Sequence, residues 1–220
     1  MKTCVLIPSY NEAKNIGVIT RELNRLGLTA YVVDDGSTDK TADIAAGQGA
    51  VVIAHGKNKG KGASLIEGFN RILKEDFDAV LIMDGDGQHA TDDVDNFFKK
   101  MAATGADIII GNRMTDTASM PALRKITNRI MSRIISNMCG QDIPDTQCGF
   151  KLIKRNVLES IKFEFSNFEI ESEILLKAAR KGFKIESVPV KTVYQDETSK
   201  IKPIFDTVRF LSFLIRMACK

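Results

Sequence analysis

The sequence predicts an α/β fold, a mostly parallel sheet with helices on both faces, and three observations carry that prediction. Apolar runs of strand length alternate with longer stretches of helical period through the first 113 residues. Those runs are continuous, without the polar alternation of a half-exposed sheet, so both faces of the sheet are expected to be covered. A polar cluster follows each run, at the carboxyl ends where open parallel sheets bind ligands.

In order along the chain, "CVLIP" (4–8) is the first strand, and Ile16, Ile19, Leu23 and Leu26 share one face of a helix over about residues 13–26. "AYVVDDGS" (30–37) is the second strand, followed by a short helix that Ser37 or Thr38 would cap and that ends at Gly47 or Gly49. "AVVIAH" (50–55) leads through "GKNKGKG" into a helix from about Ala63 to Lys74. "DAVLIMD" (78–84) precedes a helix near 92–103, and "ADIIIGNR" (106–113) is the fifth strand. Beyond it the alternation breaks. A basic helix is expected over about 121–138, a strand flanked by turns within "DTQCGFKLIKR" (145–155), a helix over 168–181 and a strand within "KIESVPVKTVY" (184–194). Residues 1–202 read as one catalytic domain and 203–220 as an amphipathic helix suited to a membrane interface.

The whole chain narrows the function classes. At 220 residues it makes one sizeable domain with a small appendage. Its 31 basic and 28 acidic residues leave a net charge of +3, too balanced to indicate a nucleic-acid partner. Cys4, Cys139, Cys148 and Cys219 show no CxxC spacing and read as reduced thiols. No signal peptide or membrane-spanning run is evident, so a cytoplasmic location is expected.

The fourth strand ends in "DGDGQH". An Asp-Gly turn is the ordinary reading of such a pair. An EF-hand calcium loop does not fit, because its sixth position, where Gly is required, is His89, and its twelfth is Asp95 instead of Glu. In an extended segment alternate residues point the same way, so Asp84, Asp86 and Gln88 could present oxygens to one Mg²⁺ or Mn²⁺. Asp34, Asp35 and Asp39 would repel a bare diphosphate and better suit ribose hydroxyls or base N–H groups, although Asp39 could equally cap the second helix. Lys57, Lys59 and Lys61 lie among glycines, as phosphate contacts or as a solvated loop. His89 follows the acidic motif, whereas His55 reads as structural. On the basic helix, Lys125, Arg129 and Arg133 form a cationic stripe, and Leu123, Ile126, Ile130, Ile134 and Met138 form its apolar face.

Together, "PSYNE", "VVDDGSTDKT", "NKGKGASLIEGFN" and "MDGDGQH" resemble the family 2 glycosyltransferases of the GT-A fold (nucleotide-diphospho-sugar transferase, Rossmann-like), in order and spacing over roughly the first 115 residues. "IIIGNR", "DTQCGFKLIKR", "FEIESEILLKAARKGFKIESVPV" and "SKIKP" extend the resemblance to the branch containing dolichyl-phosphate mannosyltransferase and bacterial polyprenyl-phosphate sugar transferases. The resemblance implies an inverting, metal-dependent transfer from GDP-mannose or a UDP-sugar to a polyprenyl or dolichyl phosphate, at the cytoplasmic face of the membrane. It matches Pro8, Tyr10 and Glu12 to nucleoside contacts, with Val33 and Asp35 beside them. It also matches Asp84 and Asp86 to the metal pair, Gln88 to a third ligand, and Arg113 to the arginine facing the reacting phosphates. Arg124 and Asn128 would join Arg113 at an acceptor phosphate, and Lys200 would meet the donor. Gly85 is expected to leave room for the sugar. The branch's arginine before "SK" is absent from "YQDETSK", which leaves the donor open.

Two alternatives stand beside this reading. One is transfer to a saccharide hydroxyl, which needs a carboxylate base, for which Asp145, Glu169, Glu171 and Glu173 are candidates. Helical spacing puts Glu169 and Glu173 on one face and turns Glu171 away. The other is a non-enzymatic nucleotide-sugar-binding protein. The oligomeric state is not legible.

Overall fold

The computed structural model describes residues 1–118, 120–167, 169–191, 210 and 212–217. Seven strands form one sheet in the order β3-β2-β1-β4-β6-β5-β7: β1 Thr3–Ser9, β2 Thr29–Asp34, β3 Val51–Ala54, β4 Ala79–Ile82, β5 Ile108–Asn112, β6 Lys151–Lys154 and β7 Ile185–Pro189. All neighbours pair parallel except β6, which lies antiparallel to both β4 and β5. Every residue of β1, β4 and β5 is buried, so the continuous apolar runs do mark strands covered on both faces.

The helices are α1 Ile16–Arg25, α2 Thr41–Gly47, α3 Lys61–Ile72, α4 Val94–Thr104, α5 Ala122–Cys139, α6 Arg155–Ser160 and α7 Glu169–Arg180. Helix α1 buries Ile16, Ile19 and Leu23 of the predicted face together with Thr20, whereas Leu26, at its C-cap, is 54% exposed. It begins three residues later than expected, because the loop before it is tied to the segment before α2: Asn11, at φ 57°, accepts from the Thr38 N–H and donates its own N–H to Ser37 Oγ. The expected cap of α2 by Ser37 or Thr38 is not formed. Asp39 accepts from the Thr41 N–H instead, at 3.0 Å. Gly105 and Gly140, both in the left-handed region, end α4 and α5.

The described thiols, Cys4, Cys139 and Cys148, are free, and burial pushes them up to about 12, 11 and 11 respectively. No helix among the described residues is long and apolar enough to cross a membrane. Of the expected helix at 203–220, Phe210 and residues 212–217 are described and helical. Phe213 and Met217 are buried there, Phe213 edge-on against Phe165 with centroids 5.0 Å apart, while Ile215 faces solvent.

Candidate active site

Strands β1 and β4 are neighbours whose chain connections leave in opposite directions across the sheet, the switch point at which open α/β sheets form a crevice. The loops after β1 and β4 meet there. A Cβ added to Gly85 would lie 2.6 Å from Ser9 Oγ, with Glu12 also in contact, so the crowding at Gly85 comes from the loop after β1. The 84–88 segment is a turn and not the extended stretch expected. Gly87 takes φ 78°, the Asp86 carboxylate accepts the Gln88 N–H at 2.9 Å, and Asn15 donates to the Asp86 carbonyl at 3.0 Å. Simple alternation therefore does not govern where Asp84, Asp86 and Gln88 point.

Asp84 is the most heavily engaged of the three. Lys61 Nζ, from the first residue of α3, sits 2.6 Å from Asp84 Oδ1 and 2.7 Å from Glu171 Oε1 of α7. Fully buried Lys151, at the start of β6, holds Glu171 Oε2 and the Cys148 carbonyl. His89 Nε2 stands 3.5 Å from Asp84 Oδ2, its ring tilted over Phe150. Gly149 packs so closely that a Cβ there would lie 2.5 Å from Asp84 Oδ2. Burial alone would raise the Asp84 carboxyl. The Lys61 charge and the His89 hydrogen bond outweigh it and hold Asp84 well below the usual carboxylate range. Burial likewise opposes ionisation of Lys61 and Glu171, yet opposite charges win: Asp84 and Glu171 raise Lys61, and Lys151 with Lys61 lowers Glu171.

This arrangement suits a hard cation. A monovalent ammonium already stands between the Asp84 and Glu171 oxygens, and carboxylate oxygens are ligands that Mg²⁺ and Mn²⁺ prefer. Among the described residues no three His, Cys, Asp or Glu side chains converge as a complete metal cage. Asp84 and Asp86 would leave most positions to phosphate oxygens and water, as Mg²⁺ sites with few carboxylates do.

The residues matched to the nucleoside lie at the ends of β1 and β2. Pro8 and Val33 are register partners and both are buried. Tyr10 and Glu12 follow, half-buried. Asp35 is 3% exposed and already occupied: Oδ1 meets His55 Nδ1 at 2.7 Å and accepts from the Lys59 N–H, while Oδ2 accepts from the Gly60 N–H. It anchors the loop between β3 and α3. His55 is structural as expected, its Nε2 reaching Glu67 at 2.8 Å. Of the three loop lysines, Lys57 is exposed, Lys59 pairs with Glu67, and Lys61 alone enters the acidic site.

Arg113 follows β5 at the same rim. Its Nε and Nη2 grip the two oxygens of fully buried Asp145 at 2.8 and 3.0 Å, and its N–H adds a third bond. Asp145 therefore orients Arg113 and is corrected as a base candidate, since both of its oxygens are taken. Glu173 is corrected on the same ground: its oxygens accept the N–H groups of Glu164 and Phe165, and Lys177 pairs with it. Glu169 lines a groove with Ser212 and Arg216. Glu171, the residue that spacing set apart, is the one that enters the site.

Helix α5 is oriented differently from its expected amphipathic face. It buries Asn128, Ser132 and Ile135, while Leu123, Ile126 and Ile130 are 76%, 57% and 56% exposed. The buried face is polar because it serves the loop that carries Asp145. Ser132 accepts the Thr146 N–H, and Ser136 accepts the Ile143 N–H and donates to its carbonyl. Asn128 Nδ2 is buried without a hydrogen-bond partner, and Arg124 lies half-buried one turn earlier. Lys200 lies outside the described residues, as do Tyr194, Gln195 and Asp196.

A seven-stranded, mostly parallel sheet with one inserted antiparallel strand gives the chain the GT-A fold. The chain belongs to glycosyl transferase family 2, whose family model matches residues 4–162. It is 27% identical over 215 residues to a UDP-N-acetylglucosamine–dolichyl-phosphate N-acetylglucosaminyltransferase of Methanococcus voltae, covering 87% of this chain and 86% of that one. It is 29% identical to a dolichol-phosphate mannosyltransferase of Pyrococcus furiosus, covering 98% of this chain and 64% of that one. Among solved structures, the glucosyl-3-phosphoglycerate synthase of Mycobacterium tuberculosis in complex with Mg²⁺ and uridine diphosphate shares the fold, with a TM-score of 0.73 and 17% identity over 98% of this chain and 79% of that one.

Proposed function

We propose that the protein transfers a sugar from a nucleotide sugar to a polyprenyl or dolichyl phosphate, inverting the anomeric carbon. The observation that carries this reading is the engagement of three of the four base candidates, the fourth, Glu169, lining the groove with Ser212 and Arg216. Asp145, Glu171 and Glu173 are each held by cations or N–H groups, so a neutral hydroxyl would find none of them ready to take its proton. A lipid monophosphate needs no base, being anionic near neutral pH. Asn128 Nδ2, buried without a partner, supplies a donor for such an anion, with Arg124 one turn away and Arg113 held rigid by Asp145.

In this reading Pro8, Tyr10, Glu12, Val33 and Asp35 line the nucleoside end of the crevice, and Asp84, Asp86 and Gln88 would hold Mg²⁺ or Mn²⁺. The ion would neutralise charge on the departing diphosphate. Relatives named for dolichyl-phosphate acceptors support the lipid acceptor, and the neighbour solved with Mg²⁺ and uridine diphosphate supports the metal. The acceptor oxygen attacks the anomeric carbon as the bond to the diphosphate breaks, so no covalent enzyme intermediate is required. Lys200 is retained as a donor contact.

The exposed face of α5 supports peripheral contact with the membrane, proposed to be at its cytoplasmic face. Leu123, Ile126 and Ile130 form one exposed apolar ridge, bordered by exposed Arg129 and Arg133, the pairing of an interfacial helix on an anionic surface. This role was expected of residues 203–220. In that stretch the described Phe213 and Met217 turn inward, and α5 carries the stronger outward signal.

The test is Asp86→Asn assayed with labelled nucleotide sugars, polyprenyl phosphate and Mn²⁺. The expected result is a loss of at least about a hundredfold in transfer, the scale on which removal of a group stabilising transition-state charge acts. Undiminished transfer would remove the metal from the reading.

A further inference from the structure

Lys61, Glu171 and Lys151 form a charged array with Asp84 that the transfer reaction as described does not use. The charges alternate along it, Asp84 to Lys61 to Glu171 to Lys151, with Lys61 Nζ 2.6 and 2.7 Å from its two carboxylates. Without the ammonium, Asp84 and Glu171 would face each other as like charges in a poorly solvated place. The backbone that carries Lys61 is fixed. A Cβ on Gly62 would lie 2.4 Å from the Asn167 carbonyl oxygen, and the Ala63 N–H donates to the Ser166 carbonyl at 3.0 Å, so the first turn of α3 is clamped to the segment leading into α7. Any displacement of the ammonium must come from its flexible side chain. Glu171 is anchored independently by Lys151, which leaves it in place as a second partner.

We propose that Lys61 is a tethered counter-cation. In the metal-free protein its ammonium holds the place beside Asp84, and when the divalent ion binds it withdraws from Asp84 while staying paired with Glu171. Lys61 is thus a positioning residue that keeps the acidic site assembled between turnovers and sets how tightly the free enzyme holds metal. The proposal rests on the metal reading of Asp84 and Asp86.

The experiment measures Mn²⁺ binding to the full chain by the electron paramagnetic resonance signal of free Mn²⁺, with no nucleotide present. Lys61→Met removes the competing charge, and Mn²⁺ is expected to bind roughly tenfold more tightly, which corresponds to about 1.4 kcal/mol. Lys61→Arg keeps the charge and is expected to bind as the wild type does. A lysine that merely supported the fold would, when lost, leave Mn²⁺ binding equal or weaker, and either result in Lys61→Met overturns the proposal. Asp86→Asn separates the two readings. If it leaves Mn²⁺ affinity unchanged, the metal reading fails; if it weakens binding while Lys61→Met does nothing, the Lys61 proposal alone fails. A crystal structure of the wild-type chain with Mn²⁺ needs no variant. Lys61 Nζ should lie beyond about 4 Å from Asp84 with its Glu171 contact kept, and an ammonium still on Asp84 beside bound Mn²⁺ overturns the proposal.

Discussion

Asp145 shows most plainly what a single residue does here. It has no exposed surface, both of its oxygens face Arg113, and Oδ1 also accepts the Gln147 N–H. Such a carboxylate is a holder of an arginine. Replacing it with Asn leaves a buried guanidinium without its counter-charge, a change that costs about 3 kcal/mol. Asp145→Asn is therefore expected to lower the urea midpoint clearly, whereas full native stability with abolished transfer would return Asp145 to the role of base. Glu171 is the counterpart that the sequence placed poorly. Spacing on α7 correctly separates Glu171 from Glu169 and Glu173, but it says nothing about which face meets α3 and β6, where Lys61 and Lys151 stand.

At the level of elements, the central strands and most of α1 were legible because burial and periodicity agree in them. The apolar runs of β1, β4 and β5 became covered strands, and Ile16, Ile19 and Leu23 of α1 became its buried face, while edge strand β3 is only half-buried and Leu26 is exposed. Helix α5 breaks that agreement. Its periodicity is real, yet Leu123, Ile126 and Ile130 of the apolar stripe point outward, only its end at Met138 packs on the core, and the serines point inward to satisfy the backbone of residues 143–146. A sequence pattern defines two faces without saying which one the neighbours need. The outward ridge gives an element-scale prediction. Leu123→Glu, Ile126→Glu and Ile130→Glu together alter exposed positions, so thermal stability should change by no more than about 1 kcal/mol. Flotation with vesicles containing anionic lipid should nevertheless be lost. Undiminished flotation would assign membrane contact to another surface.

For the molecule as a whole, the acidic motif after β4 was legible because a buried strand fixes where it ends, and the order of strands then delivers it to the crevice beside β1. The antiparallel insertion of β6 was not legible, since pairing direction is set by partners distant in sequence: Ile82 of β4 meets Lys151, and Ile110 of β5 meets the same residue. That insertion brings Gly149 against Asp84 and Lys151 against Glu171, and so it completes the site from the second half of the chain. The consequence is a candidate site in which Asp145, Glu171 and Glu173 are held by cations or N–H groups, the condition under which the proposed acceptor is one that arrives already ionised.

The most direct measurement of that claim compares two acceptors that differ by one phosphate. The whole chain is incubated with Mn²⁺, a panel of labelled nucleotide sugars, and either polyprenyl phosphate or the dephosphorylated polyprenol, and the label extracted into organic solvent is counted. Product with the phosphate and none with the alcohol is the predicted result. Equal labelling of the alcohol, or label transferred to soluble saccharide alone, would contradict it.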